Sequence, residues 1–149
     1  MKLKLVAALA LSLAVFTGCA SEEAPETTTP ETTTAEGTVK KSEIAQDGET
    51  LVTEITFDEA GTPVAVQIDH IMDGGKSKYD EAKAGNYVMV QGADNTWDVQ
   101  IDALETFLVE NNFDLSKVTV NADGKTDAVT GVSIGVAPVL AGVEELLAE

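Results

Sequence analysis

The chain has 149 residues, with 26 Asp and Glu against nine Lys and no Arg, for a formal charge of −17 at pH 7. So large an acid excess leaves no basic stripe to neutralise phosphates, which excludes nucleic acid as a partner. A single cysteine permits no internal disulfide and, without a Cys–His cluster, no haem or iron–sulfur ligation, so the fold must rest on its core.

At the start, Lys2 and Lys4 precede an apolar run from Leu5 to Phe16, shorter than the about 20 residues of a spanning helix. Gly18 and Cys19 follow. This order resembles a bacterial lipobox, with Phe16 where Leu is usual. The resemblance implies a lipoprotein signal peptide over residues 1–18, a diacylglycerol group on the Cys19 thiol, and a protein anchored on the extracellular face of the cell membrane. Without it, the same residues read as an ordinary cleaved signal with an incidental cysteine. The segment "LSLAVFTG" before Cys19 also resembles the apolar octapeptide pheromones that some lipoproteins release.

Residues 19–37 contain "PETTT" twice in tandem and no large apolar side chain. Such a segment buries too little surface to offset its ordering entropy, so it reads as an acidic Pro/Glu/Thr-rich tether, and its Thr and Pro suit O-glycosylation. All 26 acids lie beyond Cys19 with seven of the lysines, which leaves −19 on the exported part and repels an anionic bilayer.

About 110 residues remain from 38 to 149, enough for one core. Val39 to Ile44 is a weak strand candidate, followed by the turn "QDGE". Leu51, Thr53, Ile55 and Phe57 then alternate with polar neighbours, "DEAG" turns the chain, and Val64, Val66, Ile68 and His70 continue the period of two. From Trp97 the spacing becomes helical through Ile101, Leu104 and Leu108, with Asp94 or Asn95 as cap and Asn111–Asn112 as stop. Val118 and Val120 suggest a further strand, "NADGKTD" a turn, and Val136 to Leu147 a last helix with Pro138 in its first turn. The prediction is a single small α+β domain over residues 38–149, an antiparallel sheet with helices packed on one face.

Between turn and last helix lies "TDAVTGVSIGV", Thr126 to Val136. By spacing alone, Ser133 caps the helix and Gly131 and Gly135 are turn residues. In context, "DAVTGVSI" resembles the attachment motif of the FMN-binding domain family. Asp127 matches the family's acid, Thr130 its first hydroxyl, Gly131 and Val132 the small pair, and Ser133 the flavinylated residue, with Ile134 after it. The family acceptor is usually Thr, and Ala is frequent where Val132 stands. Upstream, Ser77, Lys78, Tyr87, Met89, Trp97 and Gln100 follow the order seen in the Gram-positive lipoprotein branch of this family, which is related to the flavin-carrying subunit of sodium-pumping NADH:quinone oxidoreductase.

The resemblance implies one covalent FMN, joined by a phosphoester to the Ser133 oxygen through a separate flavin transferase that uses FAD and a divalent metal. Asp127, Thr130, Gly131, Val132 and Ile134 would complete the attachment site, and the phosphate would lie by the unpaired N–H groups of the last helix. The implied function is electron carriage, not turnover, from a quinol-linked membrane donor to a soluble or mineral acceptor, with the flavin supplying the redox chemistry. A protein of another class fits the same fold: a surface interaction lipoprotein without flavin, to which Val132 and Ser133 point. Trp97, Tyr87 and Met89 read as core, His70 as a structural hydrogen-bonding group, and Lys76 and Lys78 as a solvated loop. Nothing in the chain suggests a metal site, a nucleophilic triad or a phosphate-binding glycine loop.

Overall fold

The computed structural model describes residues 37–89 and 95–149, which fall in one compact unit. The signal peptide, Cys19, nearly all of the tether and the capping candidate Asp94 lie outside the described residues.

Three long strands form an antiparallel meander: β1 (Thr38–Gln46), β2 (Glu49–Phe57) and β3 (Pro63–Met72), with the two-residue β4 (Lys76–Ser77) at its edge. Asp47 and Gly48 join β1 to β2 with φ of 51° and 86°, the left-handed pair that a two-residue hairpin turn of matching twist requires. Gln46 therefore opposes Glu49, and the register runs on to Thr38 against Phe57. At the next turn the Asp58 carboxylate accepts from the N–H groups of Ala60 (2.9 Å) and Thr62 (2.8 Å), so a side chain closes the loop ahead of β3.

The period of two places Leu51, Thr53, Ile55 and Phe57 on one face, beside Val66 and Ile68 of β3, and all six are buried. Helices cover that face. α1 (Lys78–Lys83) and α2 (Trp97–Glu110) pack against β3, and α3 (Ala137–Ala148) lies over β1 and β2. α2 contributes Trp97, Ile101, Leu104 and Leu108 to the core, and α3 contributes Val139, Val143 and Leu146. The fold is α+β, a single small domain with its helices on one face of an antiparallel sheet.

Two predicted elements differ. Val118–Val120 forms no strand; only Val120 bridges Thr126, so its partner is the turn that follows and not the sheet. α1 was not expected, since a six-residue helix carries too little periodicity to register against a charged composition. Its start is nonetheless encoded locally: the Ser77 hydroxyl accepts from the Asp80 N–H (3.0 Å).

α3 approaches the sheet closely at Gly142, where an added Cβ would stand 3.1 Å from Thr53 Oγ1. Beside this contact Ser42 donates to Glu145 Oε2 (2.7 Å), but the buried Thr53 hydroxyl has no hydrogen-bond partner. An unmet buried hydroxyl is destabilising, and valine has nearly its shape. Thr53→Val is therefore expected to stabilise the domain by about 1 kcal/mol in urea unfolding; a loss of stability would contradict this reading of the contact.

Candidate functional site

Residues 127–136 form no ladder with any strand, and their shape comes from four separate anchors. Thr126 is buried, bridges Val120 and accepts the Ala128 N–H through its hydroxyl (3.1 Å), which starts the loop. Val129, Val132 and Val136 enter the core as pegs. The Gly124 carbonyl receives the N–H groups of Val136 (2.7 Å) and Ala137 (3.1 Å), which fixes the junction with α3. In the middle, Gln100 of α2 offers Oε1 to the N–H groups of Ser133 (2.7 Å) and Ile134 (3.1 Å) and to the Ser133 hydroxyl (3.2 Å).

Between the valine pegs, Asp127, Thr130, Gly131 and Ser133 face solvent, Val132 is buried and Ile134 half-buried. Gly131 has φ of 83°, and a Cβ there would approach Asn95 Nδ2 to 2.8 Å while that amide donates to the Gly131 carbonyl (3.0 Å). Conformation and space both require glycine at this position. Gly135 has open space around it and no such demand.

The capping role that spacing alone allows Ser133 is not what the structure has. α3 starts at Ala137 with Val136 as its N-cap and no side-chain cap bond, and the Ser133 hydroxyl turns to Gln100 instead. Nor are the first N–H groups of α3 free as expected. The N–H groups of Val136 and Ala137 are taken by Gly124, and Pro138 has none. On α2, Asn95 does not cap either: the N-cap is Thr96, and the Asn95 amide is committed to Gly131.

Next to this loop, around the first turn of α2, lies a buried polar cluster. Lys78 is 7% exposed, not part of a solvated loop; its ammonium pairs with Glu49 and lies 5.2 Å from the Tyr87 ring centre and 5.7 Å from that of Trp97. Glu49 Oε2 also meets His70 Nδ1 (3.0 Å), and His70 stands edge-on to Trp97 with centroids 5.5 Å apart. Burial alone would raise the Glu49 carboxyl, but the hydrogen bonds and charges of Lys78 and His70 outweigh it and hold the group below its usual range. Trp97 is buried and Tyr87 and Met89 pack against the core, while Lys76 is exposed and pairs with Glu81 (3.5 Å).

A second polar group sits at the free edge of β3. Glu105 of α2 accepts the Ile68 N–H (2.6 Å), Asp69 accepts the Tyr79 N–H (3.0 Å), and the Tyr79 hydroxyl donates to Asp102 (2.8 Å). The bond to Asp102, with burial, raises the Tyr79 phenol to about 12. Burial, opposed by the Ile68 N–H and reinforced by the charges of Asp102 and Asp69, pushes Glu105 up to about 7. No group of side chains among the described residues has the arrangement of a metal site, and no helix among them is long and apolar enough to cross a membrane.

No family model matches the chain, and no curated protein matches it. The structure is similar to the solution NMR structure of a Clostridium thermocellum protein that carries no functional name, with 27% sequence identity and a TM-score of 0.53, over 76% of this chain and 90% of that one.

The Glu105 shift has a consequence for stability. Its carboxyl binds a proton more tightly in the folded state, at about 7, than the ordinary value of 4.5. Protonation thus favours folding: the contribution is complete below the unfolded pKa and is lost as pH rises through the folded one. Glu105→Gln keeps an oxygen for Ile68 but never ionises. Thermal unfolding should find variant and wild type similar at about pH 4 and the variant more stable at about pH 8; a constant difference between the two would contradict the assignment.

Proposed function

We propose that this protein is a lipid-anchored extracellular electron carrier with one FMN held as a phosphoester on Ser133. The supporting observation is the Ser133 hydroxyl itself: exposed, outside any helix, and held in place by a buried side chain of a neighbouring element. That is the disposition of a side chain offered to another molecule, not of one completing its own fold.

The residues present suit such a group. The ester needs an accessible oxygen on a backbone that a bulky transferase can reach: Gly135 has open space around it after Ser133, and Gly131 before it is exposed. Asp127 and Thr130 are also exposed, and Val132 is buried in the core. Since the N–H groups of Val136 and Ala137 are already engaged, the phosphate would be met chiefly by solvent and exposed polar groups. The covalent bond retains the cofactor outside the cell, where a dissociable one would be lost by dilution. When bound, the flavin supplies one- and two-electron chemistry, and the protein supplies attachment and position.

Lipidation at Cys19 and the tether over residues 19–37 let one redox head visit a quinol-linked donor at the membrane and a soluble or mineral acceptor beyond it. The protein is then a carrier and not a turnover enzyme, and a flavin transferase is its required partner.

The full chain made in a host with a flavin transferase should keep yellow colour and ultraviolet-excited fluorescence on its band after denaturing electrophoresis. Ser133→Ala should abolish that signal, and Thr130→Ala should retain it. A dark wild-type band would leave the flavin-free interaction lipoprotein as the reading of this fold.

A further inference from the structure

Gln100 is fully buried within the apolar stripe of α2, between Trp97 and Ile101. Its amide is used to capacity. Oε1 receives the three bonds from Ser133 and Ile134, while Nε2 donates to the Asn95 carbonyl (2.9 Å) and reaches Met89 Sδ (3.3 Å). A buried amide is tolerated only when so satisfied, and an apolar side chain would complete the stripe with less risk. Apolar packing of the stripe alone therefore gives no reason for glutamine here. The loop it holds is largely exposed, but the N–H groups of Ser133 and Ile134 point inward to this buried oxygen.

What Gln100 does accomplish is geometric. Two backbone bonds fix the peptide groups on either side of the Ser133 α-carbon, and the third directs the hydroxyl hydrogen inward, so the oxygen's lone pairs face solvent. We propose that Gln100 is a positioning residue for flavin attachment, holding the Ser133 oxygen toward its electrophile before the transferase arrives. The inference rests on the reading of Ser133 given above.

The step it serves balances as follows. A bond forms between Ser133 Oγ and the FMN phosphorus of FAD, the bond from that phosphorus to the bridging pyrophosphate oxygen breaks, and AMP leaves with the electron pair. The hydroxyl hydrogen turns out of its bond to Gln100 as the proton passes to a base of the transferase, because an amide oxygen is too weak a base to hold it. Esterification removes the hydrogen of the third bond and leaves the two backbone bonds to carry the loop. The effect belongs to orientation, where small displacements have large consequences for rate.

The test uses the full chain in detergent, with limiting transferase and FAD. It reads flavin incorporation by intact mass and amide exchange of the segment containing Ser133 and Ile134 by deuterium uptake. Gln100→Met keeps length and apolar fit but makes none of the five contacts. It should unfold cooperatively, exchange faster in this segment, and incorporate flavin at least about tenfold more slowly than wild type. Gln100→Glu is the second variant. When protonated, its carboxyl both accepts and donates as the amide does, so its rate relative to wild type should recover as pH falls. Incorporation by Gln100→Met at the wild-type rate, with the segment released, would overturn the positioning role and leave Ser133 as acceptor. If Gln100→Met does not fold, a pH-independent relative rate for Gln100→Glu overturns it instead. A wild type that takes no flavin while its segment stays protected would overturn the reading of Ser133, and this role with it.

Discussion

One buried amide group joins the regular part of this molecule to its irregular part. The segment from Asp127 to Val136 has no ladder and no helix of its own, so its course must be imposed from outside. Valine pegs fix its depth but not the direction of the peptide groups between them. Gln100 supplies that direction with three bonds to one oxygen, and Asn95 adds a fourth contact at Gly131. Gln100 lies in the first turn of α2 and Asn95 just before its cap, and α2 is itself seated on β3 by Trp97, Ile101, Leu104 and Leu108. The exposed hydroxyl is thus referred, through one helix, to the buried core.

The same dependence explains how much of the structure was legible beforehand. β2 and β3 announced themselves because one face of each is buried and the other is not, which writes a period of two into the residues. Asp47–Gly48 is a local signal of its turn. α2 and α3 bury one stripe against a sheet and so repeat at helical spacing. Ser133 stood out through its neighbours in "DAVTGVSI", but its partner did not. Gln100 is one letter in an apolar stripe, and only its burial and the convergence of three donors disclose its role. The signal available was its phase: a polar residue at a core position of a helix.

Other differences have similar causes. Lys78 looked solvated because charge in a glycine-flanked segment normally is, yet Glu49 and two aromatic rings, distant in sequence, receive its ammonium. Ser133 looked like a cap because a hydroxyl a few residues before a helix often is one. Here the Gly124 carbonyl had already taken the N–H groups at the start of α3. Each is a long-range contact prevailing over a local preference, the kind of information that spacing along the chain does not contain.

The central claim is that Ser133 carries FMN as an ester, and one cleavage isolates it. Lys125 is the last lysine, so trypsin releases Thr126–Glu149 as a single peptide containing Asp127, Thr130 and Ser133. From protein made with a flavin transferase, fragmentation mass spectrometry of this peptide should show the mass of one FMN less one water, localised to Ser133. An unmodified peptide, or the added mass on Thr130, would contradict the account.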